Sequence, residues 1–455
     1  MCGINVYFGK DKSVIERMAA KLEHRGKRTT TARFFQPGLV YVSHARLPIQ
    51  GLSETFDQPM RHGTKNLYGL MVGEVFNFRK YDPAAKNDLA VVLAMWEKFG
   101  PKCLAGFDGF WSFVFIDTSK KTVTVVTDPL AKKPLYYRTL PALAISSEID
   151  PLLEAGPSTL NETYLGGVAR FGYCYDRSTP WNEIHSIAPG SILVYDEFGR
   201  LKESYQYGLG LYPTGTDLRA AVEESVRNRM VSDVPVGVLL SGGLDSTIVF
   251  EMMKKVRTDF KVFHVENDEA DFLKHLDFRF PGSEIEMIAI NRPVEIEKEV
   301  AVQIHQCPVD LGSVMAQIDL GKAVRESGVD VVLSGDGADE LFGGYRRTAE
   351  YDSQKSDVFH ELIHYHLPRL DRTMMFSMVE LRCPFLALPI VNYALALPWE
   401  RRKHKEVLKE AFADIVPLSI LHREKVPLKI EGSRGEKKIE WRMACIDAFR
   451  KAYAT

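Results

Sequence analysis

The sequence predicts two unlike halves: an α+β half, mostly sheet, over residues 1–208, and a parallel α/β half with a helical C-terminal region over 209–455. Three observations predict it. The first half carries short β-branched and aromatic runs between turn residues, and the second alternates continuous apolar strands with amphipathic helices. A Gly/Pro/Thr-rich stretch, "YGLGLYPTGTD" at 207–217, separates them. A chain of 455 residues with 45 % hydrophobic composition is long enough for more than one core.

In the first half the strand-like runs are "LVYVSHARLPI" (39–49), "LYGLMVGEVF" (67–76), "FWSFVFID" (110–117), "KTVTVVTD" (121–128), "PLYYRT" (134–139) and "SILVYD" (191–196), with a helix over 13–22. Stiff branched and aromatic side chains fit a pleated, half-buried surface, which is why these runs read as strands. Beyond the linker, Thr216 or Asp217 is placed to cap a helix whose Leu218, Ala221, Val222, Val226 and Met230 share one face. Strands then read at 234–242, 260–266, 284–290 and 329–335, with helices at 244–255 and across 294–327 between them. Such alternation argues for a parallel sheet covered on both faces. From about 358 onward the pattern is helical.

Composition narrows the function. A net charge of −2 with mixed signs leaves no basic field for nucleic acid, and no basic amphipathic segment for a membrane surface. The most apolar long segment, 381–399, contains Arg382, Asn392 and three prolines, so nothing reads as a membrane span. Cys2, Cys103, Cys174, Cys307, Cys383 and Cys445 are widely separated with no C-x-x-C pair, and no signal-peptide pattern opens the chain. A cytoplasmic protein acting on small molecules is expected.

Chemistry concentrates in three stretches. Ser241-Gly242-Gly243-Leu244-Asp245-Ser246 follows an apolar strand and opens a helix, where backbone N–H groups and the helix dipole converge on an anion. The missing Lys argues against a Walker-type loop. A second strand ends in "SGDGADELFGGY" (334–345), which brings Asp336, Asp339 and Glu340 to the same sheet edge; phosphate-facing loops with acids suit a nucleotide and Mg²⁺. Third, "MCGI" opens the chain: once Met1 is removed, the α-amino group of Cys2, of pKa about 8, can take its own thiol proton. A competing motif, "HELIH" at 360–364, matches the zinc-protease pattern with Glu361 as base, but His366 lies too close along the helix to complete the site.

The loop S-G-G-L-D-S resembles the pyrophosphate loop of ATP pyrophosphatases, and with "SGDGADELFGGY" and "VELRCPFL" (379–386) it resembles the glutamine-dependent asparagine synthetase B family. Cys2-Gly3-Ile4 with "EHRG" (23–26), "SHARLPI" (43–49), "GEVFN" (73–77) and "SSEI" (146–149) resembles the class II glutamine amidotransferases. The resemblance implies an Ntn-type αββα sandwich followed by an adenine-nucleotide-hydrolase-like sheet, forming a homodimer. It implies adenylation of aspartate by ATP with Mg²⁺, then attack by ammonia, from glutamine or free ammonium, giving asparagine, AMP and pyrophosphate. Carried over by motif, Cys2 is the nucleophile, Arg46 beside Leu47 pairs with the glutamine carboxylate, Asp88 holds its ammonium, and Gly73 and Glu74 line the amide end. Leu239, Val265, Ser334 and Gly335 match nucleotide contacts, and Ser241, Gly242, Gly243, Leu244 and Ser246 surround the pyrophosphate. Asp245 and Asp339 hold Mg²⁺, Lys425 in "HREKV" neutralises phosphate charge, and Asp336 handles the ammonia proton.

The chain departs from the pattern in three places. Val72 stands where the family has the oxyanion-hole asparagine, Thr127 and Ala131 stand for Arg and Gly, and "VDLGSV" (309–314) differs where the aspartyl group would be recognised. A slow glutaminase is expected, since one lost oxyanion donor costs ~10²–10³ in turnover. A β-lactam synthetase-like enzyme with another acceptor and a non-catalytic nucleotide or glutamine sensor are the alternatives. The phosphoribosyl amidotransferases share only the first half, and the S-G-G-L-D-S loop excludes them.

Overall fold

The computed structural model describes residues 2–35, 39–63, 65–174, 176–208, 217–265, 276, 285–290, 296–309, 311–345, 360–423 and 437–454. The first half contains two six-stranded sheets whose paired strands run antiparallel. One has the spatial order His185–Ser186, Tyr136–Arg138, Ala144–Ser146, Gly3–Phe8, Val40–Arg46, Arg28–Phe34. The other runs Leu201–Gln206, Ser191–Asp196, Thr122–Thr127, Gly109–Asp117, Leu67–Val75, Met60–Arg61. Strand alternation builds the layers. In Leu67–Val75 the even positions Leu70 and Val72 enter the inter-sheet core with Ile4, Val6, Val42 and Val114, while Leu67, Met71 and Val75 pack outward beneath a helix. That helix is Asp88–Phe99, and Lys12–Ala20 covers the other sheet, completing the expected αββα sandwich.

The second half holds a five-stranded sheet, ordered Glu286–Ile290, Lys261–Val265, Val236–Leu239, Val331–Leu333, Glu380–Arg382, with every neighbouring pair parallel. Consecutive residues Val331, Val332 and Leu333 are all fully buried, so both faces of the sheet are covered there. The last strand corrects the sequence reading, which took everything beyond 358 as helical. It is three residues long, and two of them, Glu380 and Arg382, are charged and fully buried, neutralised by a 2.7 Å ion pair with each other. A strand so short and charged has no apolar run to reveal it.

Helix limits follow local capping. Asp11 accepts from the Ser13 N–H at 2.9 Å, so the first helix begins at Lys12, and Asp217 accepts from the Ala220 N–H at 3.2 Å to start Leu218–Arg229. The segment expected helical across 294–327 resolves into Lys298–His305 and Leu311–Glu326. Helix Lys437–Ala452 packs on both Glu162–Phe171 and Lys298–His305, tying the two halves together. All six cysteines are unbridged, and no helix among the described residues is long and apolar enough to cross a membrane.

Candidate active sites

Cys2 is buried at the start of strand Gly3–Phe8, and the Leu47 backbone N–H reaches its thiol. Burial pushes the thiol up, with Glu74 adding to the rise and Arg46 opposing it. A thiol held protonated needs a base at hand, which is what an exposed Cys2 α-amine would supply. Gly73 is at φ 117°, and a Cβ there would lie 2.0 Å from the Phe110 carbonyl oxygen, so the neighbouring strand excludes any larger residue.

Behind the cysteine sit two carboxyls. Asp88, the first residue of helix Asp88–Phe99, accepts from the Val75 and Leu89 N–H groups, both at 2.9 Å, yet burial pushes it up to about 6. Burial also drives Glu74 well above the usual carboxylate range, reinforced by Asp88 and by Glu380 from the other half; the Gln50 amide donates to it. Glu74 hydrogen-bonds to Asp88, so the two buried carboxyls hold a proton more readily than either would in water. Arg46 is held within its own half: Nη1 donates to Ser53 O and Asp57 Oδ1 at 2.9 Å each, and Nη2 to Gln50 O at 3.4 Å and to Gly51 O. Its terminal nitrogens meet a ligand only when the 50–57 loop yields those contacts.

The departures have visible consequences. Val72 is buried opposite Ser112 and joins the same apolar core as Cys2, offering no donor. Ala131 takes φ 48°, a left-handed conformation that suits glycine. Thr127 stitches the sheet, donating to Ala188 O at 2.8 Å and accepting from the Ser191 N–H at 3.0 Å.

At the second site, strand Val236–Leu239 delivers the Ser241–Ser246 loop and its neighbour Val331–Leu333 delivers Ser334, Gly335 and Asp336. The central strand has parallel partners on both sides, so these loops meet where the chain order reverses, the usual ligand position in such sheets. Ser246 Oγ accepts from the Ser241 N–H at 3.2 Å and donates to Gly243 O at 3.1 Å, which ties the loop upon itself beneath Gly242 at φ 78°. A Cβ on Gly335 would stand 2.8 Å from both the Asp245 Cβ and the Ser246 N. The two loops therefore touch. Leu244 opens helix Leu244–Val256, Leu239 and Val265 end adjacent strands, and Val265 is exposed at the rim. The Asp336 N–H approaches Ser334 Oγ at 3.4 Å.

One residue of this site escaped the sequence reading. The buried Lys405 ammonium bridges Asp245 Oδ2 and, at 2.5 Å, Asp339 Oδ1. It arrives on two successive non-glycine residues at positive φ, His404 at 57° and Lys405 at 61°. No motif marks a lysine in "RRKHKEVLKE" (401–410), so no local signal was there to find. The bridge shows that the two carboxylates can share one cation. Asp245 Oδ1 is buried without a hydrogen-bond partner among the described residues, and a Cβ on Gly344 would fall 1.8 Å from Asp339 Oδ1, so glycine leaves the cradle open. An all-oxygen pair beside phosphate loops fits Mg²⁺, which takes one or two carboxylates and completes its shell with phosphate and water.

A cavity at the seam is lined by Phe110, Lys132 and Lys133 from the first half and Leu370, Asp371 and Cys383 from the second; Asp371 accepts from Arg25, which donates to the Cys2 carbonyl oxygen, and Cys383 Sγ lies 3.8 Å from Ser334 Oγ. Lys132 donates across the seam to Leu386 O at 3.3 Å and within its own half to Gly109 O at 2.6 Å. Lys425 and Asp310 lie outside the described residues. In the H-E-x-x-H stretch the rings of His360 and His364 stack at 6.2 Å, and His366 Nε2 lies 3.5 Å from Glu340 Oε1. Among the described residues no three metal-binding side chains converge.

Fold and sites together define an N-terminal-cysteine amidotransferase domain joined to an ATP-pyrophosphatase-like domain. Residues 1–206 match the glutamine amidotransferase domain family, and residues 217–362 and 356–442 match the asparagine synthase family. Asparagine synthetase B [glutamine-hydrolyzing] of Escherichia coli (strain K12) is 25 % identical, covering 93 % of this chain and 81 % of its own. Asparagine synthetase [glutamine-hydrolyzing] 2 of Oryza sativa subsp. japonica is also 25 % identical, covering 93 % and 76 %. A solved glutamine phosphoribosylpyrophosphate amidotransferase from B. subtilis aligns with a TM-score of 0.35 at 11 % identity, over 73 % of this chain and 81 % of that one. The chain belongs to the glutamine-hydrolysing asparagine synthetase B family.

Proposed function

We propose that this chain makes asparagine from aspartate and ATP, with nitrogen drawn from glutamine at Cys2 or from free ammonium. The observation that carries the reading is that one fold holds a buried cysteine at the start of strand Gly3–Phe8 and, in its other half, two touching loops that bring Asp245 and Asp339 onto one cation.

In the first half, Cys2 Sγ attacks the glutamine carboxamide carbon while the α-amine takes the thiol proton and passes it to the departing nitrogen. The C–N bond breaks, ammonia leaves, and water hydrolyses the thioester to glutamate. The Gly73 N–H stabilises the developing oxyanion, and the Glu74–Asp88 carboxyl pair receives the substrate ammonium. Arg46 meets its carboxylate as the 50–57 loop adjusts. In the second half, Ser241, Gly242, Gly243 and Ser246 cradle the β- and γ-phosphates at the start of helix Leu244–Val256, and Leu239, Val265, Ser334 and Gly335 line the nucleoside. The aspartate β-carboxylate displaces pyrophosphate from the α-phosphorus, ammonia then displaces AMP, and Asp336 accepts the proton that the nitrogen loses. Asp245 and Asp339 would hold Mg²⁺, which supplies charge neutralisation for the departing pyrophosphate, a task Lys425 would share.

The test is asparagine and pyrophosphate release from ATP, Mg²⁺ and aspartate, with ammonium compared against glutamine. Product with both donors supports the whole reading, and product with ammonium alone confines it to the second half. Pyrophosphate release only with a different carboxylic acid would keep the adenylation and replace aspartate as acceptor.

A further inference from the structure

We propose that Asp371, on the second half of the chain, is a positioning residue for the Cys2 nucleophile of the first half and acts through Arg25. The inference rests on the reading of Cys2 as the glutamine-hydrolysing nucleophile. Arg25 is fully buried, and each of its nitrogens has a defined partner. Nε donates to the Cys2 carbonyl oxygen at 3.0 Å, Nη1 to Glu148 Oε1 at 2.6 Å, and Nη2 to Asp371 Oδ2 at 2.9 Å. Glu148 belongs to the amidotransferase half, whereas Asp371 rides on helix Leu367–Phe376 of the other.

The same carboxylates bind further groups across the seam. Asp371 Oδ1 accepts from Lys133 Nζ at 2.9 Å, and Glu148 Oε2 accepts from Gln306 Nε2 at 2.7 Å. Gln306 Oε1 in turn accepts from the Ile149 and Asp150 N–H groups at 2.8 and 3.2 Å, and His24 Nε2 lies 3.0 Å from Glu148 Oε1. Two cations, Arg25 and Lys133, thus balance two anions, Glu148 and Asp371, in a buried lattice shared by both halves. Burial alone would raise the Asp371 carboxyl, but Arg25 and Lys133 hold it below the usual range.

A guanidinium is a planar fork, so fixing both terminal nitrogens fixes the direction in which Nε points. That direction sets the orientation of the peptide following Cys2, whose carbonyl carbon is bonded to the same Cα that carries the thiol and the α-amine. Neutralising Asp371 releases one arm of the fork. Cys2 then loses its aim while Glu74, Asp88 and Gly73 stay in place, so turnover falls without a change in glutamine binding. The amidotransferase nucleophile is therefore set by a side chain from the half that consumes its product.

The test is the Asp371→Asn variant of the full chain, assayed for glutamate release from glutamine and, separately, for asparagine formation from ammonium. The expected result is a kcat for glutamate release lowered about tenfold, as one charge-assisted bond in the positioning chain is lost, with the KM for glutamine unchanged. Ammonium-dependent synthesis keeps its rate, which shows that the chain folds, and Asp371→Glu, which retains the carboxylate, recovers part of the lost kcat. Equal loss in both assays would mean a merely structural role, and unchanged glutamate release would mean no role; either overturns the proposal. A Cys2→Ala chain that still releases glutamate at the original rate would instead overturn the reading of Cys2 itself.

Discussion

The two sites are finished to different degrees by the protein itself. In the amidotransferase pocket Arg46, Glu74 and Asp88 all find partners within their own half and within about forty residues of chain, and all three are buried. At the nucleotide end, Asp245 and Asp339 are brought together by Lys405, 160 residues from Asp245, on a strained backbone, and one Asp245 oxygen has no hydrogen-bond partner among the described residues. The first pocket is closed by contacts local in the chain, and Val72 places no side-chain donor beside Gly73. The second is rich in donors and holds a lysine between its two carboxylates. On the proposed reading, chemistry limits the first site and cation loading gates the second.

The largest effect that would sharpen this contrast is a gain at Val72. Val72→Asn restores a side-chain donor beside Gly73, and we expect glutamate release to rise by ~10²–10³, the ordinary worth of one oxyanion donor. Because Val72 lies in the inter-sheet core, the new amide also costs about 1–3 kcal/mol of stability, read as a lower Tm. Unchanged turnover would show that the Gly73 N–H already suffices.

Next in size is a pH effect confined to glutamine. Asp88 is raised above its ordinary value to about 6, so the acidic pair loses its charge as pH falls through that region. Binding an ammonium there below pH 6 requires the release of a proton, and the KM for glutamine should rise roughly tenfold per unit between pH 6 and 5. Ammonium-dependent synthesis provides the control. A KM for glutamine that is flat from pH 5 to 8 would remove Asp88 and Glu74 from the ammonium site.

The nucleotide end is broken through Lys405. Lys405→Gln removes the lysine that Asp245 and Asp339 share, so Mn²⁺ should bind the nucleotide-free variant about tenfold more tightly than the parent chain, a difference of ~1.4 kcal/mol, measurable by electron paramagnetic resonance. Equal affinity would mean that Lys405 does not compete for the site.

Sequence alone made legible what is local. The strand–loop–helix around Ser241–Ser246, the alternation in Leu67–Val75 and the cap at Asp217 all depend on residues a few positions apart, so periodicity and motif reveal them. Lys405 beside Asp245 and Asp371 beside Arg25 depend instead on packing between distant segments, and the Arg46 guanidinium is filled by loop carbonyls four to seven residues on and by Asp57, which no periodicity marks. The Arg25–Asp371 contact spans 346 residues, and nothing near either residue announces it. Glu380–Arg382 escapes for a related reason: its buried charges pair with each other, and Arg382 also donates to the Arg229 and Val231 carbonyl oxygens some 150 residues earlier at 2.6 and 2.8 Å.

The smallest expected effect tests whether the amidotransferase half carries strain from its departures. Ala131 holds φ 48°, where a side chain costs about 1 kcal/mol that glycine avoids, while glycine brings an entropic cost of roughly half that size in the unfolded chain. Ala131→Gly should therefore stabilise the protein by about 0.5 kcal/mol, a small rise in the denaturation midpoint with an unchanged denaturant slope. Lys132 and Lys133 follow directly in the chain and reach into the seam, so relaxing the turn also shifts how firmly they are held. A stabilised variant with unchanged glutamate release would place the deficit of this half in Val72 alone; a change in that release would show that the turn at Ala131 and the positioning of Cys2 are linked through Lys133 and Asp371.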